Sequence, residues 1–564
     1  MFDLDAILNP TAALQSTAED FLDALSQDPG PAQAEIINCV LRACGCNDSV
    51  DADQVVDYDG IVDVLDTFTE GLKQVRIKQI YNNNFFFNTL QENSPIYPLT
   101  SKFPAFKRFR ASLSELIERI VLAAAELGFL YTSDLITTLQ AWVVAMSSSQ
   151  IRSFRHTATV VALEVETALC QVAASVEKEA EILGRQREGE RKRKANNKAS
   201  GVREKDLDAK AAEVRKRRGA LAEYLKEIVD GYVNFQCPTF SGVDLRFSVF
   251  VHRYRDLDPN IRAECVKSLG SWFTYYPAHF LDAQYLRYVG WVLSDSSTSV
   301  RLEAVRTLTA VYAQSEYVGS LTHFTERFKP RLLEMVGGDA ELAVRTAVIG
   351  VLSAIDGHGL LEDEERERVC LLVYDAEVRV RRAVAGFVAG VWEELAEERI
   401  TVTGKKGRNK GGAKAKERAG VKALAILLVK WGKVLDRKSE SAEEESVLSG
   451  EGGGVHTQRI HPSHITGVDP RSRTALAVEA LWGEVAAISD WEDILEVLLL
   501  DHSAGREEDI DGVDSLAESA KSAVDATWRL EEVEESILLE VLVASLRRAK
   551  VVAATGKKVL VFTV

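Results

Sequence analysis

Apolar residues recur three and four positions apart along most of the chain, as in SLSELIERIVLAAAELGFL (112–130) and TATVVALEVETALCQVAASV (157–176). That period puts the apolar side chains on one side of an α-helix, and stripes this wide predict helices with a broad buried face. Ser133-Asp134 precede LITTLQAWVVAM, where a side-chain oxygen can accept from the first unpaired amides of a helix. NNNFFFN (82–88) and SPIYPLTSKFP (94–104) break the pattern and read as one irregular connection. Residues 177–230 hold few large apolar residues until their final third, which predicts a long, solvent-exposed helical hairpin projecting from the body.

From residue 256 a motif repeats. Asp256-Leu-Asp-Pro-Asn-Ile261-Arg262, Asp295-Ser-Ser-Thr-Ser-Val300-Arg301, Asp339-Ala-Glu-Leu-Ala-Val344-Arg345 and Asp375-Ala-Glu-Val-Arg-Val380-Arg381 share D-x4-[IV]-R, with starts 39, 44 and 36 residues apart. A period near 40 with a helix pair per unit is the signature of HEAT-type repeats. The Asp can cap the turn between paired helices, the Ile or Val seats the next helix in the core, and the Arg can meet the Asp of a neighbouring unit. The expected fold is therefore all-α, a HEAT-repeat α-solenoid whose units contact only their neighbours.

Composition agrees. With 12 Pro and 36 Gly in 564 residues, 46% hydrophobic and 27% charged, the chain is long for one compact core and suits an extended array. No apolar run in the sequence approaches a membrane span, and the acidic start MFDLDAILNP has no secretory pattern, so no membrane partner is expected. Seven scattered Cys read as reduced, buried thiols. TGKKGRNKGGAKAKERAG (403–420) and DRKSESAEEESVLSGEGGGVHTQ (436–458) read as loosely held loops, and the apolar ending KKVLVFTV reads as that of a truncated stack. The expected organisation is N-terminal helices and connection (1–110), helical repeats (111–176), basic hairpin (177–230), HEAT repeats (240–325), further repeats (326–400), loops (401–473) and final repeats (474–564).

The net charge of −17 argues against a uniformly nucleic-acid-binding surface. Locally the balance reverses, with 14 Lys/Arg against 6 Asp/Glu in 185–218 and 7 Lys/Arg against 1 Glu in 405–418. No phosphate-cradling, dinucleotide, zinc-protease or nucleophile-elbow motif occurs. Cys44-Gly-Cys46 lacks a second pair at zinc spacing, and the carboxylate clusters sit in charged stretches. No cofactor or metal and no enzymatic activity is expected.

Arg152-Ser-Phe154-Arg155-His156-Thr157-Ala-Thr resembles a stretch of the Scc3/stromal antigen subunits of cohesin. Phe250-Val-His252-Arg253-Tyr254-Arg255-Asp256, Ile261-Arg262-Ala263-Glu-Cys265, Gly270-Ser-Trp272 and Tyr285-Leu-Arg-Tyr288-Val289-Gly290-Trp291 are similar to that family's stromalin conservative domain. The likeness continues through Arg327-Phe328-Lys329 to Leu372-Val-Tyr374, and faintly to EESILLEVLVAS (534–545). The resemblance implies a hook-shaped superhelix that serves as a non-catalytic cohesin subunit in the nucleus, on the chromosome. Such a subunit binds the kleisin subunit and double-stranded DNA and supports cohesin loading, sister chromatid cohesion and chromosome segregation.

For DNA, the hairpin offers Arg191, Lys192, Arg193, Lys194, Lys198 and Arg203, with Arg215, Lys216, Arg217 and Arg218 on the returning helix. Cations without interleaved aromatics neutralise phosphates without reading bases, so binding would be sequence-independent; RKRK and RKRR also suit nuclear-import receptors. Lys405, Lys406, Arg408, Lys410, Lys414 and Lys416 form a second basic element, equally readable as a solubilising insertion. The resemblance also implies that Tyr254 and Trp291, with Arg255 and Arg287, receive Phe/Tyr-containing peptides of the cohesin loader and regulators. The same aromatics can instead fill the groove between repeats. Asp282-Ala283 stands where family members carry Asn-Asp, which bears on one polar contact of that pocket. The competing function is a generic HEAT scaffold or transport-receptor-like protein that binds a protein partner without DNA.

Overall fold

A computed structural model of the protein describes residues 14–82, 97–195, 201–230, 248–406, 413–448, 472–500, 502 and 528–561. Regular structure among them is helical throughout, and the chain divides into two compact units, Met1–Val311 and Tyr312–Val564. The main helices of the first unit are α1 (Leu14–Gln27), α2 (Pro29–Ala43), α3 (Ile61–Asn82), α4 (Phe109–Leu127), α5 (Leu135–Ser147), α6 (Arg152–Ala195), α7 (Gly201–Val229), α8 (Val249–Arg253), α9 (Pro259–Tyr275) and α10 (Ala283–Val292), with α11 (Thr298–Tyr312) reaching the boundary. Those of the second are α12 (Val318–Gly338), α13 (Leu342–Gly357), α14 (Asp363–Cys370), α15 (Val378–Lys406), α16 (Ala413–Leu448), α17 (Arg473–Leu481), α18 (Trp491–Leu498) and α19 (Glu532–Val561).

The first half of α6 is the axle of the first unit. Phe154, Val160, Val161, Leu163, Leu169 and Cys170 are buried against α4, α5 and α9. By length and composition this helix could cross a membrane, yet 72% of its apolar stretch is buried by its neighbours, as in a core helix. Local signals set the helix ends: Asp258 accepts from the amide of Asn260 with Pro259 at the first helical position of α9, and Gly128 at φ 85° stops α4.

The repeated motif forms a polar ladder. Oδ1 of Asp256, Asp295, Asp339 and Asp375 accepts from the amide two residues on, at 2.8–3.0 Å. In the first unit Arg262 grips Asp295 with two bonds of 2.8 Å, and in the second Arg345 pairs with Asp375. The Nη1 of Arg262, Arg301 and Arg381 donates back to the carbonyl of its own motif's Asp at 2.7–2.8 Å, so each guanidinium also closes its own turn. An earlier rung keeps this geometry with other residues. In Ser149-x4-Phe154-Arg155, Ser149 Oγ accepts from Ile151, Arg155 donates to the Ser149 carbonyl, and its guanidinium reaches Asp256 at 2.7 Å.

Gly270 lets α9 and α11 approach. A Cβ there would stand 2.7 Å from Thr307 Oγ1, inside any ordinary contact. Gly270→Ala is expected to destabilise by about 1–3 kcal/mol through overpacking, although Ala favours a helix by about 1 kcal/mol. Thermal melts check this: adding Thr307→Ala should recover most of the loss, and no recovery would place the strain elsewhere.

Two expected loops are largely helical. α15 runs through Lys406 and α16 starts at Ala413, so most of 403–420 is helix, with 407–412 outside the described residues. α16 also continues to Leu448 through the acidic run read as a loop; 449–458 lie outside the described residues. Ala, Lys and Glu are strong helix formers, and neither Gly nor Pro interrupts 433–449, so a helix seeded by buried Ala423, Leu424, Leu428 and Trp431 propagates into polar sequence. The irregular connection at 82–104 lies mostly outside the described residues.

Candidate nucleic-acid and peptide interfaces

The hairpin of α6 and α7 is an antiparallel pair held by one apolar row per helix. Val176 and Leu183 on α6, and Leu207, Val214, Leu221 and Ile228 on α7, recur every seven residues and are buried. Ion pairs lace its sides: Arg187 to Asp208 at 2.6 Å, Arg217 to Glu179 at 2.9 Å and Arg218 to Glu177 at 3.0 Å. The 19 residues of α6 from 177 onward extend about 28 Å at 1.5 Å per residue.

The expected phosphate-binding residues thus separate into two groups. Lys192 pairs with Glu188 at 3.5 Å and Arg193 with Glu190 at 3.0 Å, so these two, like Arg217 and Arg218, already neutralise a carboxylate. Arg191, Arg215 and Lys216 are exposed and carry no ion pair among the described residues, and Lys205 and Lys210, which sequence reasoning did not single out, are exposed on α7. Lys198, and the side chains of Lys194 and Arg203, lie outside the described residues. Of the second basic element, Lys414 is paired 3.3 Å from Glu496 and Lys416 is exposed; Arg408 and Lys410, and the side chains of Lys405 and Lys406, lie outside the described residues.

The aromatic cluster is built by α8, α9 and α10. Phe250 packs on Trp272 and Tyr288, and Tyr254 stacks on Phe250 at 5.9 Å with Tyr288 edge-on at 4.8 Å. Tyr254 is thereby 4% exposed, a floor residue rather than an open wall. Trp291 is 40% exposed and stands edge-on against Tyr288. Arg255 lies 5.8 Å and Arg287 5.4 Å from the Trp291 ring, which places two guanidinium groups around one accessible indole. Tyr288, which supports that indole, was not among the expected site residues because a buried and an open tyrosine look alike in sequence. Asp282 spends its carboxylate capping α10, accepting from Gln284 at 2.9 Å.

Other chemistry-bearing groups are locked in packing. Cys39, Cys44, Cys46, Cys170, Cys265 and Cys370 are buried and free, with burial pushing the Cys46 thiol up to about 11; Cys237 lies outside the described residues. His156 Nδ1 and the Tyr97 hydroxyl share a 2.7 Å hydrogen bond, and burial lowers the His156 pKa to about 4, which keeps it neutral. Among the described residues no group of His, Cys, Asp and Glu is arranged to hold a metal ion.

Glu166, inside α6, is fully buried, and neither carboxylate oxygen has a hydrogen-bond partner. Burial, and secondarily Asp230, holds its pKa well above the usual carboxylate range. The folded state therefore keeps a proton that the unfolded chain releases, so its contribution to stability is fullest below the ordinary pKa of 4.5 and is lost as pH rises toward the raised value. Glu166→Met is expected to stabilise the protein at pH 8 by about 1–3 kcal/mol by removing an unsatisfied buried group. The melting gap between variant and wild type should narrow at pH 5; a gap independent of pH would contradict the assignment.

These features define a class first: a helical-repeat scaffold with a basic arm and a cation-flanked tryptophan. The chain matches the STAG domain over residues 95–211 and the stromalin conservative domain over 255–329. It is 30% identical over 522 residues to cohesin subunit psc3 of Schizosaccharomyces pombe, covering 93% of this chain and 48% of psc3. It is also 30% identical over 386 residues to cohesin subunit SA-3 of Mus musculus, covering 68% of this chain and 28% of SA-3. A solved structure, cohesin subunit Scc3 from Z. rouxii (88–1035), shares the fold with a TM-score of 0.64 at 24% identity over 87% of this chain and 51% of that one. The chain thus carries STAG and stromalin conservative domains and has cohesin subunits as homologues, and it spans about half the length of psc3. These relatives are named as cohesin subunits.

Proposed function

We propose that the chain acts as a non-catalytic cohesin subunit on the chromosome, binding the kleisin subunit and double-stranded DNA without sequence preference and so supporting cohesin retention and sister chromatid cohesion. The observation that carries the DNA reading is the hairpin's set of exposed cations, Arg191, Arg215 and Lys216, without carboxylate partners among the described residues of an otherwise acidic chain. Similarity to cohesin subunits supports a kleisin surface on the helices after residue 320. Capture of a purified kleisin polypeptide by the immobilised chain tests this part; no retention at micromolar concentration would reject it.

The Trp291 site suits a peptide with a Phe or Tyr anchor flanked by acidic residues, the ring on the indole and the carboxylates on Arg255 and Arg287. Trp291→Ala should weaken such a peptide at least about tenfold in fluorescence anisotropy. Because the indole is 40% exposed and otherwise packed on Tyr288, the melting temperature should fall modestly while the fold is kept, which circular dichroism checks. Unchanged affinity would return the cluster to a purely packing role.

A further inference from the structure

Four rungs of the polar ladder place a carboxylate ahead of a helix, and the earlier one places a hydroxyl. Ser149 holds the Asp position of Ser149-x4-Phe154-Arg155, half-buried between exposed Ser148 and Gln150 in the short connection from α5 to α6. Of the three serines in a row there, Ser147 and Ser148 turn their hydroxyls back onto the Val144 carbonyl, at 2.8 and 3.4 Å. Ser149 Oγ instead accepts from the Ile151 amide at 3.2 Å, as each Asp Oδ1 does from the amide two residues on. The position has the geometry of the Asp rungs without their charge.

The groups around it are short of an anion. Arg155 Nη1 donates to the Ser149 and Gln150 carbonyls, both at 3.2 Å, which holds the guanidinium over the turn. Its remaining bonds go to Asp256 at 2.7 and 3.3 Å, but Arg253 reaches the same carboxylate at 2.7 Å, so two guanidinium groups share one acid. Arg152 pairs with Asp258 through Nε, and its Nη1 is buried without a hydrogen-bond partner. Ser153, 3% exposed in the first turn of α6, likewise keeps an unpartnered hydroxyl. Side chains of a helix lean toward its N-terminus, so both unspent groups are carried toward the Ser149 end. The first-turn amides of this 44-residue helix add positive partial charge at the same place. Asp256 and Asp258 are the opposing charges, and each already has its guanidinium.

We propose that Ser149 is a phosphorylation site, and that a phosphate there completes this rung as Asp completes the others. The modification needs a protein kinase and a nucleoside triphosphate. Ser149 Oγ attacks the γ-phosphorus, the bond from that phosphorus to the bridging oxygen of the β-phosphate breaks, the hydroxyl proton passes to the kinase's base, and the nucleoside diphosphate leaves. The product carries about −1.5 to −2 charges and three strong acceptor oxygens. It engages Arg155, leaves Asp256 to Arg253, and gives Arg152 Nη1 an acceptor. The result is a clamp between the α5–α6 connection and the α8–α9 turn, set by a kinase and released by a phosphatase.

Incubating the folded chain with ATP and a nuclear extract of dividing cells, followed by peptide mapping in the mass spectrometer, should place phosphate on Ser149, and Ser149→Ala should remove that signal alone. Phosphate found only on other residues, or on none, overturns the proposal. The geometry is tested without a kinase by chains carrying genetically encoded phosphoserine at position 149 or, for comparison, at 148. In phosphorus NMR the phosphate at 149 should titrate at least about one unit below its ordinary pKa of about 6, because the guanidinium groups favour the dianion, while that at 148 stays near the ordinary value. The chain with phosphate at 149 should melt above the unmodified chain, and Ser149→Asp should shift the melt in the same direction. A phosphate at 149 that titrates at or above the ordinary value, or that lowers the melt, shows a turn that rejects the anion and equally overturns the proposal.

Discussion

Arg345→Leu is expected to cost about 3–5 kcal/mol of stability, the range for breaking a buried ion pair from one side. The guanidinium is 6% and the Asp375 carboxylate 2% exposed, and Arg345 Nε also donates to the Val336 carbonyl at 2.9 Å. Removing the cation leaves Asp375 charged in a dry site, and it frees a carbonyl at the end of α12. Asp375 cannot simply be neutralised without consequence, because its Oδ1 caps the next helix through Glu377 at 2.9 Å. Arg345→Leu with Asp375→Asn should therefore recover part of the loss, since Asn keeps the capping oxygen and drops the charge. The control is the exposed Arg185–Glu181 pair on the hairpin, 71% and 64% open, where the same kind of removal should cost less than about 1 kcal/mol. Urea unfolding of the single and double variants checks all three, and equal losses at the two sites would contradict a stabilising role for the ladder.

The second large effect is on DNA. Arg191→Glu, Arg215→Glu and Lys216→Glu together are expected to lower affinity for duplex DNA at least about tenfold at moderate salt. They should also flatten the dependence of log affinity on log salt by about 2.7, at about 0.9 for each phosphate that is no longer neutralised. These three are chosen because they have no ion pair among the described residues, whereas reversing Arg217 or Arg218 would also break the pairs to Glu179 and Glu177 that brace the hairpin. A circular-dichroism melt should be unmoved by the triple change. Mobility shifts across a salt series read the rest, and an unaltered slope would mean that phosphates are held elsewhere.

Much of the fold was legible because D-x4-[IV]-R encodes two jobs at fixed spacing, a cap and a rung. The rung at Ser149 to Arg155 was not legible: Ser caps as Asp does, and Phe154 replaces the Ile or Val, so the geometry persists while the letters change. The 403–420 and 436–448 stretches were misread for a different reason. Low hydrophobicity signals exposure, and exposure does not distinguish a loop from a helix anchored at one end, as α16 is by Leu424 and Trp431. In the aromatic cluster, sequence named Tyr254, Arg255, Arg287 and Trp291 together, and the structure does bring them together. Only packing reveals that Tyr254 is the floor and that Tyr288 props up the accessible indole. The hairpin's cations were countable from sequence, but which of the described ones are paired depends on the carboxylates that α6 and α7 bring alongside.

At the root of the proposed function is DNA held by charge, through a projecting arm on a helical scaffold. Its sharpest test is the dissociation constant of the wild-type chain for two duplexes of unrelated sequence, measured between about 50 and 200 mM salt. Equal affinity for both duplexes is expected, with a steep, linear fall of log affinity against log salt. Binding to neither duplex, or binding that prefers one sequence and ignores salt, would refute it.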